Sequence, residues 1–391
     1  MAWIKGIFSK GNIRGVAVLA ATLFALPLGW GGFTGWTLWL SPFVMLNSVF
    51  VLKSLVWLNG LAVITLVFIF LRKRWFCQKI CPVGWGCDLI SSQRKGRGVS
   101  IKKIPPVGKW LAIGSLAAAL AGIPLFILLD PMSVFNGFFM IFSGELTIPV
   151  MLSLLGLPLL LAINIPFPGI WCTKLCPLGG LQDEITTVKN LILNKPVKEK
   201  RIKTMASTGR RLFLVSGAGL LGALLLPSFI KPAGKRYLQP PGSVPADLFN
   251  TLCLRCGNCI KSCPTGILGH HMDPQNKISW MVPEISYING YCLEKCNTCS
   301  RVCPSGSITL FGKDAKSRLF IGSAKIELAN CLLARNTECD RCKAVCSYDA
   351  IRIEKTEGSI QMLPVVIEDR CVGCGACVVV CPPRVIEVIL D

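Results

Sequence analysis

Sixteen of the 21 cysteines in this 391-residue chain fall into four groups after residue 250. Cys253, Cys256, Cys259 and Cys263, followed by Pro264, form C-x2-C-x2-C-x3-C-P, and Cys371, Cys374, Cys377 and Cys381, followed by Pro382, form it again. Cys292, Cys296, Cys299 and Cys303 widen the first gap by one residue. Cys331, Cys339, Cys342 and Cys346 open that gap to seven residues and put Ser347 where the other groups have proline. Thiolates at this spacing suit [4Fe–4S] cubanes, with three sulfurs on one cubane and the fourth crossing to a neighbour. Gly257, Gly373 and Gly375 let backbone amides approach the sulfides, which tunes the potential. Structural zinc would need tetrads split by finger-like loops, and disulfides would not repeat one regular motif four times. The only histidines are His270 and His271, so the metal chemistry must be thiolate chemistry.

A second constellation lies earlier. Cys77 and Cys81, before Pro82, and Cys172 and Cys176, before Pro177, repeat one C-x-K-x-C-P-x-G motif 95 residues apart. Each pair supplies two thiolates, and together they supply the four of one further [4Fe–4S] centre. A redox-active dithiol pair and a structural role are the alternatives. Cys87 is left over and reads as an ordinary buried thiol.

The elements that must position these residues differ between the two halves. Hydrophobic residues make up 52% of the chain and charged residues 16%, and mean hydropathy is +0.56. Four apolar runs, 15–39, 54–71, 109–129 and 148–166, approach the length of a bilayer-crossing helix, and 212–229 is a shorter fifth. Tryptophans 30, 36, 39, 110 and 171 fall near their ends. The 72–109 loop carries ten Lys/Arg against Asp88 alone. The net charge of +21 therefore reads as membrane topology rather than nucleic-acid binding.

Positive-inside counting expects a multi-pass bacterial inner-membrane protein with a cytoplasmic N-terminus and residues beyond 230 on the periplasmic face. Arg210–Arg211 before Leu212 resembles a twin-arginine export signal. The expected fold is an α-helical membrane domain of two repeated hairpins (1–200), an anchor helix (201–229) and a Pro/Gly-rich linker (230–250). An α+β polyferredoxin domain with four [4Fe–4S] clusters (251–391) follows. Short strands are expected at ISYI, SITLF, KIEL, AIRI, VVIE and VIEVIL.

The first half resembles the NapH-type membrane component of quinol dehydrogenases and the membrane part of NosR-type proteins. The second half resembles NapG/MauM-type ferredoxin proteins, so the chain looks like the two joined, without the cytoplasmic ferredoxin motifs that end NapH. The resemblance implies oxidation of menaquinol or ubiquinol. It further implies delivery of electrons to a periplasmic reductase or cytochrome, with membrane lipid, the quinol pool and other membrane subunits as partners. Asp130 and Glu145, the only acids of their loop, are the candidate quinol-site carboxylates, with ordinary loop charges as the alternative. Resemblance to four-cluster ferredoxin subunits also implies that the outer groups pair and the inner groups pair. Cys381 would then complete Cys253, Cys256 and Cys259, and Cys263 would complete Cys371, Cys374 and Cys377. Cys346 would complete Cys292, Cys296 and Cys299, and Cys303 would complete Cys331, Cys339 and Cys342. The other function classes are a maturation or redox-maintenance factor for a metalloenzyme and a wire subunit of a larger complex.

Overall fold

The structure is a computed structural model that describes residues 13–28, 31–56, 59–92, 104–143, 147–193, 214–222, 224, 237–355 and 361–390. The chain forms two compact units. The first comprises Met1–Ala233, Asp247–Asn258 and Pro304–Ser307, and the second Gly234–Ala246, Cys259–Cys303 and Ile308–Asp391.

The first unit is helical. Its helices are α1 (Ile13–Ala25), α2 (Pro42–Leu52), α3 (Gly60–Leu71), α4 (Trp75–Lys79), α5 (Pro82–Ser92), α6 (Val107–Leu120), α7 (Pro131–Phe138), α8 (Ile148–Ile163) and α9 (Pro177–Ile192), with most of α10 (Ala246–Leu252). Proline sets several starts, following Ser41, Asp130 and Cys176, because its fixed φ suits the first helical turn and its missing N–H is no loss there. The core gathers Leu38, Phe43, Val44, Phe76, Met132 and Leu178. Helices α6 and α9 cross closely, since a Cβ at Gly180 would collide with the Gly108 backbone.

The expected membrane domain is not what forms. Among the described residues no helix is long and apolar enough to cross a membrane. The longest apolar one, α8, has 16 residues, or about 24 Å at the α-helical rise, against a hydrocarbon layer of about 30 Å. The run 15–39 stops at Ala25, and what is described of the rest forms two short 3₁₀ turns (Gly31–Phe33 and Trp36–Leu40) around Gly35, which has φ +65°. The run 54–71 yields only the 12 residues of α3, and Pro158 sits inside α8. The multi-pass inner-membrane placement, with the second half on the periplasmic face, falls with the spans from which it was counted. Arg210 and Arg211 lie outside the described residues.

Among its described residues the second unit holds three two-stranded antiparallel sheets. β1 (Leu268–His270) pairs β2 (Pro283–Ile285), β3 (Ser323–Ile326) pairs β6 (Ile386–Ile389), and β4 (Ile351–Lys355) pairs β5 (Met362–Val366). KIEL, AIRI, VVIE and VIEVIL thus lie at strands, whereas β2 stops at the first residue of ISYI and SITLF gives one bridge, Ile308 to Ser243. Single-turn helices α11 (Asn258–Lys261), α12 (Thr298–Arg301), α13 (Arg341–Ala344) and α14 (Ala376–Val380) each carry the third cysteine of one motif: Cys259, Cys299, Cys342 and Cys377.

Asp130 caps α7 by accepting from the Met132 amide at 3.0 Å, and the Ser41 hydroxyl donates to it at 2.8 Å. It is fully buried, and burial lifts its carboxyl to about 6 against the opposing pull of these donors. A carboxyl lifted on folding binds its proton more tightly in the folded state, so its contribution to stability is fully present below about pH 4 and is lost as pH rises through about 6. Asp130→Asn keeps the cap and should abolish this loss, about 3 kcal/mol at neutral pH. Thermal unfolding of both proteins between pH 4 and 8 should show the wild type falling away from the variant, and parallel curves would refute the assignment.

Candidate iron–sulfur sites

The twelve thiols of the second unit that line cavities fall into three small sockets of similar size, about 20 Å³ each. One is lined by Cys292, Cys296 and Cys299 together with Cys263. Another is lined by Cys371, Cys374 and Cys377 together with Cys346, and a third by Cys331, Cys339 and Cys342 together with Cys381. Each socket takes three thiols from one motif and the last thiol of another, as cubane exchange requires. The partners are neighbours in sequence, which corrects the pairing implied by resemblance. Cys346 joins the Cys371 group, Cys381 joins the Cys331 group, and Cys263 joins the Cys292 group. The reason is geometric: β3–β6 and β4–β5 fold the third and fourth motifs onto each other, with α13 packed on α14.

Two of these sockets touch. The Cys292 amide donates to the Cys374 carbonyl at 2.8 Å, so the second and fourth motifs share a backbone hydrogen bond. Tyr287 bridges the same place through a hydroxyl that donates to the Gly373 carbonyl. Its ring fills the space where a Cβ on Gly375 would lie, and Gly375 has φ +80°, so glycine is needed there for both space and conformation. Burial pushes the Tyr287 phenol well up, and the surrounding Cys292 and Cys374 add to it, so the hydroxyl stays a donor. Lys316 is buried at 2% exposure, with its ammonium on the Leu293 carbonyl. Burial raises the Cys292 thiol, and Lys316 opposes that rise through its charge and a hydrogen bond. No spacing rule pointed to Lys316 or Tyr287, because neither lies in a cysteine motif.

In the first unit the 95-residue repeat becomes a pseudo-twofold site. Cys81 precedes α5 and accepts from the Gly84 amide at 3.3 Å; Cys176 caps α9 and accepts from the Gly179 amide at 3.4 Å. A Cβ on Gly84 would lie 2.8 Å from the Cys77 carbonyl, and one on Gly179 would lie 2.6 Å from that of Cys172. Gln182 donates to the Cys77 sulfur at 3.0 Å, and at the matching position the Cys87 thiol hydrogen-bonds Cys172. Cys87 is therefore a partner of a motif cysteine rather than an ordinary buried thiol, and its offset of 95 from Gln182 was the signal. Arg74 ties the two repeats together through Asp183 (2.9 and 2.5 Å) and the Cys172 carbonyl (3.3 Å).

Burial pushes Cys77 up to about 12, and Cys81 and Cys176 well above the thiol range. Cys172 is lowered, chiefly by the Cys87 hydrogen bond. Four thiols gathered in so dry a place ionise only with a compensating cation, which iron supplies. The donor set therefore fits a [4Fe–4S] group. Among the described residues no three His, Cys, Asp or Glu side chains are close enough to hold a single metal ion. Asp130 lies in this same unit, and its charge bears on Cys81. Glu145 lies outside the described residues.

These sockets define a multi-cluster iron–sulfur protein of ferredoxin type. The family described as 4Fe-4S dicluster domain matches residues 335–385, a 4Fe-4S binding domain matches 54–99 and again 147–192, and another matches 253–267. The ferredoxin-type protein NapG of Escherichia coli is 30% identical over 196 residues, covering 44% of this chain and 81% of that protein. The methylamine utilization ferredoxin-type protein MauM of Methylophilus methylotrophus is 28% identical over 202 residues, covering 48% and 85%. NapF of Haemophilus influenzae is 33% identical over 150 residues, covering 38% and 77%. No solved structure matches. The chain belongs to the ferredoxin-type family that includes NapG and MauM, and it is an iron–sulfur electron-transfer protein with several [4Fe–4S] clusters.

Gly179→Ala should push the Cys172 carbonyl away and cost one cluster, about four irons per chain, with the other clusters retained. Iron analysis with EPR of the reduced protein reads this, and unchanged iron would count against the site. Lys316→Met should lower the midpoint of the cluster beside Cys292 by an amount on the order of 100 mV, from loss of a close unit charge. An EPR-monitored redox titration that leaves all midpoints in place would show that Lys316 does not act on it.

Proposed function

We propose that the chain oxidises a quinol and passes the electrons singly to a reductase or cytochrome. The observation that carries this reading is the Cys292–Cys374 hydrogen bond, which joins the sockets of two motif pairs into one continuous row. A row of closed thiol sockets suits transport rather than catalysis, because every thiol is committed to a cluster. The ligand sets are Cys263, Cys292, Cys296 and Cys299; Cys346, Cys371, Cys374 and Cys377; and Cys331, Cys339, Cys342 and Cys381. Cys77, Cys81, Cys172 and Cys176 form a further set.

When bound, [4Fe–4S] groups supply one-electron steps, which a two-electron donor such as a quinol needs in order to be drained in stages. Oxidation of a quinol to its quinone also releases two protons. Asp130 supports the proton role, since burial holds its carboxyl at about 6 and lets it take and release a proton near neutrality. Arg74 and Gln182 hold the neighbouring motif loops in place through Asp183 and the Cys77 sulfur.

Menaquinol and ubiquinol analogues added anaerobically to the iron-loaded full chain should bleach its cluster absorbance, and Asp130→Asn should slow this at least tenfold. Absence of bleaching with every quinol, at full iron content, would overturn the quinol reading. Bleaching at the same rate in Asp130→Asn would remove Asp130 from it.

A further inference from the structure

The row of sockets has an end. The cavity of Cys331, Cys339, Cys342 and Cys381 shares Arg341, Cys381 and Pro382 with an open surface groove of about 680 Å³. Ala344, Val345, Val379, Val380 and Arg384 complete the groove. A molecule seated in it would lie against the same cysteine and proline that wall the socket. Its floor is apolar and open to solvent, with Val379 45% exposed. Arg341 and Arg384 both line it and are exposed, and no carboxylate is among the lining residues. Neither arginine has an ion pair among the described residues.

We propose that this groove is the docking site for a redox protein with an acidic face around its own cofactor, which collects electrons at the Cys381 end of the row. Charge complementarity selects this occupant. Two unpaired guanidiniums beside an apolar floor steer and orient an acidic surface, and the valines supply area that excludes water once the partner is seated. A basic partner would be repelled at the same place. The proposal rests on the electron-transfer reading of the row, but docking can be measured apart from electron flow.

The test uses the iron-loaded full chain with a purified acidic flavodoxin as the probe and a basic cytochrome c as the contrasting probe. Two variants are compared with the wild type. Arg341→Gln/Arg384→Asn removes both charges, and the asparagine tolerates the left-handed backbone of residue 384, which has φ 54°. Arg384→Asn alone leaves the Cys339–Cys342 loop untouched. Fluorescence anisotropy should show flavodoxin binding that weakens with salt, falls about tenfold in the double variant at low ionic strength and falls less in the single one. Flavodoxin reduction by the dithionite-reduced chain should slow in the same order, with iron content and EPR signals unchanged in Arg384→Asn, which lies outside the socket. Binding that ignores both variants, or wild type that prefers the basic cytochrome, would overturn the groove assignment. Loss of reducible cluster signals in the wild type would instead overturn the electron-transfer reading and leave the binding result standing.

Discussion

A cubane needs four thiolates, and each of the three sockets described takes its fourth from a different motif. That constraint organises the second unit. Cys346 reaches the Cys371 group and Cys381 reaches the Cys331 group, so each motif holds the other in place. Sheets of three to five residues per strand would be marginal alone. With the exchange they need only bring motif to motif, and metal–thiolate bonding adds the folding energy that so small an apolar core lacks.

The same logic works differently in the first unit. There the two C-x3-C-P loops are copies, and the repeats place residues at equivalent positions 95 apart: Gly84 with Gly179, Cys87 with Gln182, Asp88 with Asp183. The copies diverge at the pair that tunes the sulfurs, where one thiol receives an amide and the other a thiol. Their acids diverge too. Asp183 binds Arg74 across the repeat, whereas Asp88 pairs with Arg14 at 2.8 Å.

Much of the chemistry was legible in the sequence because ligand spacing is local. Three cysteines within seven residues declare a cubane, and a motif repeated at 95 residues declares a duplicated site. Which motif supplies the fourth thiol is a long-range fact fixed by strand pairing, such as Ser323–Ile326 with Ile386–Ile389, and spacing could not give it. The apolar runs misled for a related reason. Hydropathy averaged over a window ignores where helices stop, and Gly35, Lys53 at φ 51° and Pro158 interrupt or bend the runs they lie in or beside. Lys316 and Tyr287 escaped notice because only the fold sets them beside cysteines that are distant in sequence.

The central claim is the neighbour exchange of thiols, and anomalous diffraction at the iron edge from crystals of the iron-loaded protein tests it most directly. The account predicts iron of the Cys371, Cys374 and Cys377 cluster bonded to Cys346, and iron of the Cys331, Cys339 and Cys342 cluster bonded to Cys381. Cys346 bonded instead to the iron held by Cys339 and Cys342, or to that held by Cys292, Cys296 and Cys299, would contradict it.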